Sequence, residues 1–312
     1  MRFSNSKIIC LMGPTASGKT DLAIEICKNF PCDIISVDLG MVYRGMDIGT
    51  AKPTAKQQAV APHRLIDICD PYETYSAGQF REDALREIRD ILRQNRIPLL
   101  VGGTMLYFKT LQRGLSELPA ANSIVRQKIL EEAEQIGWQA LYRKLAKIDP
   151  ITAGRVHPND LQRIQRALEI YEITGKNMTE LFAIKGIKSV PYQILNIAIA
   201  PLQRSILHKR IEKRFDQMLK NGFVEEVEQL FKRSDLHCDL PSIRACGYRQ
   251  IWQYLTGKLT YEEIREKVII ATRQLAKRQL TWLRNWPNLC WFDIEDDILS
   301  KKILQQVERQ FN

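Results

Sequence analysis

No apolar run in the sequence approaches the roughly 20 residues that a membrane-spanning helix requires, so no membrane partner is expected. Met1 to Asn5 lacks the basic-then-apolar design of a secretory leader, which makes the cytoplasm the expected compartment. Paired C-x-x-C clusters are missing too. The seven cysteines, Cys10, Cys27, Cys32, Cys69, Cys238, Cys246 and Cys290, are scattered and odd in number. That usage argues against a disulfide scaffold and reads as reduced, packed thiols, not metal ligands. Histidine is scarce, and His63 and His157 stand outside any recognisable ligand spacing, so structural roles are expected for both. Internal repeats and low-complexity tracts do not occur, and nothing demands more than a monomer.

What is present is the composition of a globular protein: 312 residues, 45% hydrophobic and 26% charged, enough for one domain plus an insertion. The net charge of +10 and pI near 9.2 suit a polyanionic partner, and equally suit simple solubility.

Lys7 to Leu11 reads as a buried strand and leads into Gly13-Pro14-Thr15-Ala16-Ser17-Gly18-Lys19-Thr20, after which Leu22, Ala23, Ile26 and Phe30 keep a helical spacing. This is the P-loop spacing G-x-x-x-x-G-K-[ST], set between a strand and a helix as its chemistry requires. Glycines let backbone N–H groups converge on phosphate oxygens, the helix N-terminus adds partial positive charge, Lys19 neutralises, and Thr20 is the candidate ligand for Mg²⁺. Any diphosphate or triphosphate would satisfy such a loop. A second strand is expected at Ile34 to Val37, ending at Asp38, and a third at Ile97 to Val101, ending at Gly102-Gly103-Thr104, with a helix from Ser76 to Gln94 between them. Ile194 to Ala200 reads as a strand returning to the sheet, and all beyond it as helical to about Asn285. The expected fold is α/β, a core like that of P-loop nucleoside triphosphate hydrolases with a parallel sheet, spanning 1–117 and 193–312, with an inserted all-helical domain at 118–192.

Asp38, at a strand end, could hold a metal-bound water or act as a base; a turn or helix cap is the alternative. It opens Asp38-Leu39-Gly40-Met41-Val42-Tyr43-Arg44-Gly45-Met46-Asp47-Ile48-Gly49-Thr50-Ala51-Lys52-Pro53. This stretch resembles the bacterial tRNA dimethylallyltransferases, also called tRNA isopentenyltransferases. The resemblance continues in order through His63 to Asp67, Val101 to Thr104, Val156 to Asp160, Gln162 to Arg166, Arg244 to Arg249 and Ala271 to Gln279, covering nearly the whole chain.

The resemblance implies that dimethylallyl diphosphate, not ATP, occupies the Gly13–Thr20 loop with the help of Mg²⁺. It implies an acceptor as well, N6 of the adenosine just 3′ of the anticodon in tRNA, giving N6-dimethylallyladenosine and diphosphate. An adenine amino group is a weak nucleophile because its lone pair is delocalised, so a carboxylate that takes its proton helps at the moment of attack; Asp38 is the candidate. Thr104 would orient the diphosphate, and similarity to the family gives Arg214 the same ligand. Asp38, Leu39, Gly40, Met41 and Thr104 would also meet the acceptor nucleotide. Gln162-Arg163-Ile164-Gln165-Arg166 and Arg244-Ala245-Cys246-Gly247-Tyr248-Arg249 look like tRNA-contacting segments, with Tyr248 able to stack on an unpaired base, and Arg126 is a further candidate of this kind.

A helix around Ile264 to Arg284 would set Ile264, Val268, Ala271, Leu275 and Trp282 in one apolar stripe, with Arg273, Lys277 and Arg284 opposite. Arg278 falls at the stripe's edge, where a guanidinium needs a phosphate or carboxylate partner, and is a further phosphate-site candidate. Arg204 and Arg210 fit a phosphate site and a solvated basic face equally. Three positions depart from the family pattern. Leu39 stands where a serine is common, removing a hydroxyl; Met105 replaces a glycine; Asn122, a good helix cap, replaces an aspartate.

Rival readings are a small P-loop kinase using ATP, an adenylate isopentenyltransferase acting on free nucleotides, and a nucleotide-switch RNA-binding protein without catalysis. The kinase leaves the inserted helices unexplained. Free nucleotides would not need the Gln162 and Arg244 segments. The switch lacks an Asn-Lys-x-Asp motif.

Overall fold

The computed structural model describes residues 7–114, 118–184 and 190–311. Met1 to Asn5, on which the reading of a leader rested, lies outside the described residues, as do 115–117 and 185–189 at the expected domain boundaries. The chain divides into two compact units, Met1–Gln112 together with Val190–Asn312, and Arg113–Ser189.

The first unit opens with β1 (Lys7–Met12), α1 (Lys19–Asn29), β2 (Cys32–Val37), α2 (Ala55–Val60), β3 (His63–Arg64), α3 (Ala77–Arg93), β4 (Ile97–Gly102) and α4 (Met105–Arg113). The second unit holds α5 (Ser123–Ile136), α6 (Trp138–Ile148), α7 (Pro150–Ala153), α8 (Leu161–Thr174) and α9 (Met178–Ile184). The chain then returns through β5 (Gln193–Ile199), α10 (Arg204–Lys220), α11 (Phe223–Phe231), α12 (Tyr248–Leu255), α13 (Tyr261–Arg284), β6 (Leu289–Phe292) and α14 (Leu299–Phe311).

The six strands form one parallel sheet in the order β3-β2-β4-β1-β5-β6. Ile8 to Met12 in β1 are all buried, as a strand covered on both faces must be. One apolar cluster, with Phe80, Phe108, Phe223 and Tyr248, fills one side of the sheet. Another, with Leu22, Ile26, Ile303 and Val307, fills the other. Val37 and Met12 both pair with Gly102, so β1, β2 and β4 end level with one another. Their following loops therefore emerge at one edge, the carboxyl edge where parallel α/β sheets bind ligands. Capping boxes at Thr54, Ser76 and Thr260 fix where α2, α3 and α13 begin.

Three local readings need correction. β2 begins at Cys32, two residues before Ile34. The edge strands β3 and β6, of two and four residues, lie outside the strands read from the sequence, because so short a segment carries no periodic signal. Between α11 and α12 the chain makes turns instead of continuing helical.

The second unit has its own core of Ile129, Leu141, Leu145, Ile164 and Leu168. Asn122 caps α5 by accepting from the N–H groups of Ile124 and Val125 at 3.0 and 3.1 Å.

Candidate active site

A large open cavity lies over the sheet's carboxyl edge in the first unit, lined by the P-loop, the Asp38 turn, the 47–54 loop, the loop after β4 and faces of α10 and α13. Gly13 is needed here for close approach. A Cβ at Gly13 would stand 2.6 Å from both the Ile199 carbonyl and Ser17 Oγ, so any side chain would push the loop off the sheet. Gly18 has φ of +88°, the left-handed turn from which α1 starts. The phosphate role expected of Gly13 to Thr20 narrows in the structure. Pro14 has no N–H, and the Thr15 N–H donates to Gln279 Oε1 at 2.9 Å, so these two positions offer no free backbone donor to a phosphate.

Lys19 Nζ donates to the Pro14 carbonyl at 2.7 Å and reaches Ser17 Oγ at 3.5 Å. Burial, with the Arg214 guanidinium adding repulsion, pushes the Lys19 ammonium down to about 7, against the opposing pull of Asp38. Burial likewise lowers the Arg214 guanidinium, again opposed by Asp38. Two cations thus share one site beside a single carboxylate, a field that favours an incoming polyanion. Arg214 Nη2 donates to the Thr50 carbonyl at 3.3 Å. Arg210, one helical turn before it, has Nη2 only 3.3 Å from where a Gly18 Cβ would stand, so its guanidinium lies against the P-loop. That contact favours a phosphate-site role for Arg210 over a purely solvated face.

Asp38 performs the capping role as well as lining the cavity. Its Oδ1 accepts from the N–H of Gly40 at 2.8 Å and of Met41 at 3.4 Å. Thr104 Oγ1 accepts from Leu39 N–H at 3.0 Å, and Thr104 N–H donates to the Val37 carbonyl at 3.2 Å. Leu39 itself is exposed into the cavity and Gly40 is buried.

α13 corrects the single apolar stripe. Ile264, Val268, Ile269, Ala276, Leu280 and Leu283 are buried, whereas Ala271, Leu275, Arg278 and Trp282 turn to the cavity. Arg278 is exposed there, so water solvates it and no buried partner is required. Arg273, expected on a free basic face, is ion-paired with Glu212 of α10.

Gln279, to which sequence reasoning gave no role, is buried and holds the site together. Besides accepting from Thr15, its Nε2 donates to the Gly103 carbonyl at 2.8 Å, tying α13 to the P-loop and the β4 loop. No local pattern signals such a role.

Of the Arg244–Arg249 segment, Arg244 and Arg249 are exposed at the cavity, and Cys246 Sγ lies 3.1 Å from Thr272 Oγ1. Gly247 caps α12 with φ of +93°. Tyr248 overturns its expectation. It is fully buried, and its hydroxyl donates to Glu226 at 2.5 Å, so its ring has no face open to a base.

In the second unit Ile164 is buried in the core and Gln165 donates to the Arg126 carbonyl at 3.2 Å. Buried Glu169 accepts from Arg126 Nε at 3.0 Å and from Arg166 Nη1 at 2.7 Å, and these bonds hold its carboxyl below the usual range against the opposing effect of burial. Ile164 is thus a core residue and not a contact. Arg163, by contrast, is strongly exposed, 3.4 Å from Asp160.

A model of the IPP transferase family matches residues 41–286. A tRNA dimethylallyltransferase of Coxiella burnetii (strain Dugway 5J108-111) is 59% identical over 300 residues, 96% of each chain. Among solved structures, a full-length tRNA isopentenylpyrophosphate transferase from Bacillus halodurans is 37% identical with a TM-score of 0.73, covering 98% of this chain and 97% of its own. A eukaryotic dimethylallyltransferase acting on tRNA is 29% identical with a TM-score of 0.83, covering 98% and 79%.

Proposed function

This chain belongs to the IPP transferase family, and from that premise we propose that it transfers a dimethylallyl group from dimethylallyl diphosphate to N6 of the adenosine 3′-adjacent to the anticodon in tRNA, releasing diphosphate. The observation that carries this reading is the cavity itself, where one carboxylate, Asp38, stands among the cations Lys19 and Arg214 beside a P-loop.

In the reaction the N6 lone pair attacks C1 of the dimethylallyl group, the C1–O bond breaks with its electrons passing to the diphosphate, and the N6 proton passes to the Asp38 carboxylate. The N–H groups of Ala16 to Thr20, with Lys19, Arg210 and Arg214, stabilise the charge that gathers on the leaving diphosphate. Thr104 positions the Asp38–Leu39 turn through its bond to Leu39 N–H. Arg278 and the exposed Arg244 and Arg249 supply further positive charge along the cavity, and Arg163 would meet tRNA phosphate from the second unit.

Mg²⁺ fits the oxygen donors at hand. The Thr20 hydroxyl is a hard oxygen ligand of the kind it prefers, and the donor's phosphate oxygens would supply others. When bound it would neutralise charge on the leaving diphosphate.

The test is transfer of labelled dimethylallyl groups into unmodified tRNA, beside a transcript lacking the adenosine next to the anticodon. Transfer to the first alone is expected. Failure of transfer with ATP consumed instead would favour the kinase.

A further inference from the structure

The 47–50 loop lines the cavity and closes partly on itself, the Thr50 hydroxyl donating to the Met46 carbonyl at 2.6 Å and the Ala51 N–H to the Ile48 carbonyl at 3.0 Å. Its N–H groups at 47 to 49 are bound instead by a carboxylate from far along the chain. Glu226 of α11 accepts three consecutive backbone N–H groups, from Asp47 at 2.9 Å, Ile48 at 2.7 Å and Gly49 at 3.2 Å, and the Tyr248 hydroxyl at 2.5 Å. Gly49 has no room for a side chain, since a Cβ there would meet the Phe223 ring at 2.1 Å. Lys52 pins the loop's other end, bonding the Asp47 carboxylate, Asp67 at 2.6 Å and the Tyr43 carbonyl at 2.9 Å.

Thr50 is the loop's contact with the chemistry. Its carbonyl accepts from Arg214, and its Cγ2 lies 2.8 Å from where a Gly40 Cβ would stand, against the turn that carries Asp38. A shift of the loop therefore moves the acceptor that orients Arg214 and loosens the wall behind Asp38 together.

We propose that Glu226 is a positioning residue that, with Tyr248, locks the 47–50 loop so that Thr50 holds Arg214 on the donor diphosphate. The inference rests on the proposed function in taking dimethylallyl diphosphate as the donor. A glutamine in its place keeps the shape but turns one acceptor oxygen into a donor, facing backbone N–H groups that then have no acceptor.

Calorimetric binding of dimethylallyl diphosphate with Mg²⁺ to four proteins tests this: wild type, Glu226→Gln, Arg214→Ala and the double variant. Glu226→Gln should weaken donor binding about tenfold in the wild-type background, the scale of one bond to a charged group, and less than about twofold when Arg214 is already gone. An equal loss in both backgrounds, as from a general loosening of the fold, would overturn the proposal, and so would no loss at all. If Glu226→Gln fails to fold by circular dichroism, Tyr248→Phe takes its place in the cycle, with about a threefold loss expected and the same criteria. Wild-type protein that binds no donor would sink the functional reading itself, whereas wild type that binds normally beside an uncoupled cycle sinks only the role of Glu226.

Discussion

The Thr104 hydroxyl oxygen accepts the Leu39 backbone N–H at 3.0 Å, joining the loop after β4 to the residue that follows the candidate base. Thr104→Val keeps the shape and removes the acceptor. It is expected to cost about 1 kcal/mol of stability and to lower turnover, with Thr104→Ser restoring both. Thermal melts and steady-state rates on the two variants check this; equal rates for valine and serine would remove the bond from the mechanism.

Asp38→Asn separates the two roles of that side chain. The amide oxygen can still accept from Gly40 N–H, so the turn should persist while the proton acceptor is lost. Turnover should fall roughly 10²- to 10⁴-fold with tRNA affinity nearly unchanged. Near-normal turnover would show that another group takes the N6 proton.

Lys19 gives a pH signature with a definite sign. In the ligand-free site its pKa is pushed down to about 7, whereas a bound diphosphate raises it, so binding takes up a proton above neutral pH. Donor affinity should be flat with respect to this group below pH 7 and fall as pH rises above it, by up to about tenfold per unit. Calorimetry in buffers of different ionisation enthalpy would count the proton, and Lys19→Ala should abolish the uptake. Uptake that persists in Lys19→Ala assigns the titration elsewhere.

Arg210→Ala should raise the KM for the donor and leave the KM for tRNA unchanged, because its guanidinium lies against the P-loop at Gly18. An increase about tenfold or more corresponds to loss of one charge-assisted phosphate bond. If instead only the tRNA constant moves, the residue faces RNA.

Arg163→Ala should weaken tRNA binding and reduce the slope of log affinity against log salt by about 1, as loss of one phosphate contact does. An unchanged slope would mean that Arg163 makes no phosphate contact.

Short-range pattern sufficed for much of this molecule. Lys7–Leu11, Gly13–Thr20 and the α1 spacing lie within one stretch of chain, so a buried strand, a glycine loop and its helix could be read directly, and Asp38 stood out as a carboxylate at a strand end. Family likeness added the acceptor and the donor, which no pattern of apolar spacing contains. Tertiary structure decided the rest. A helical period separates the faces of α13 but cannot say which of two apolar faces meets the core and which the cavity, and so Ala271, Leu275 and Trp282, expected in one stripe with Ile264 and Val268, turn to the cavity instead. Tyr248 sits in a basic segment that suggests exposure, yet the sheet's packing buries it against Phe223. Gln279 and Glu226 act on backbone groups 264 and 177 to 179 residues away. Hydrogen bonds over such separations exist only after the parallel sheet has brought its loops to one edge, so no local stretch of sequence can announce them.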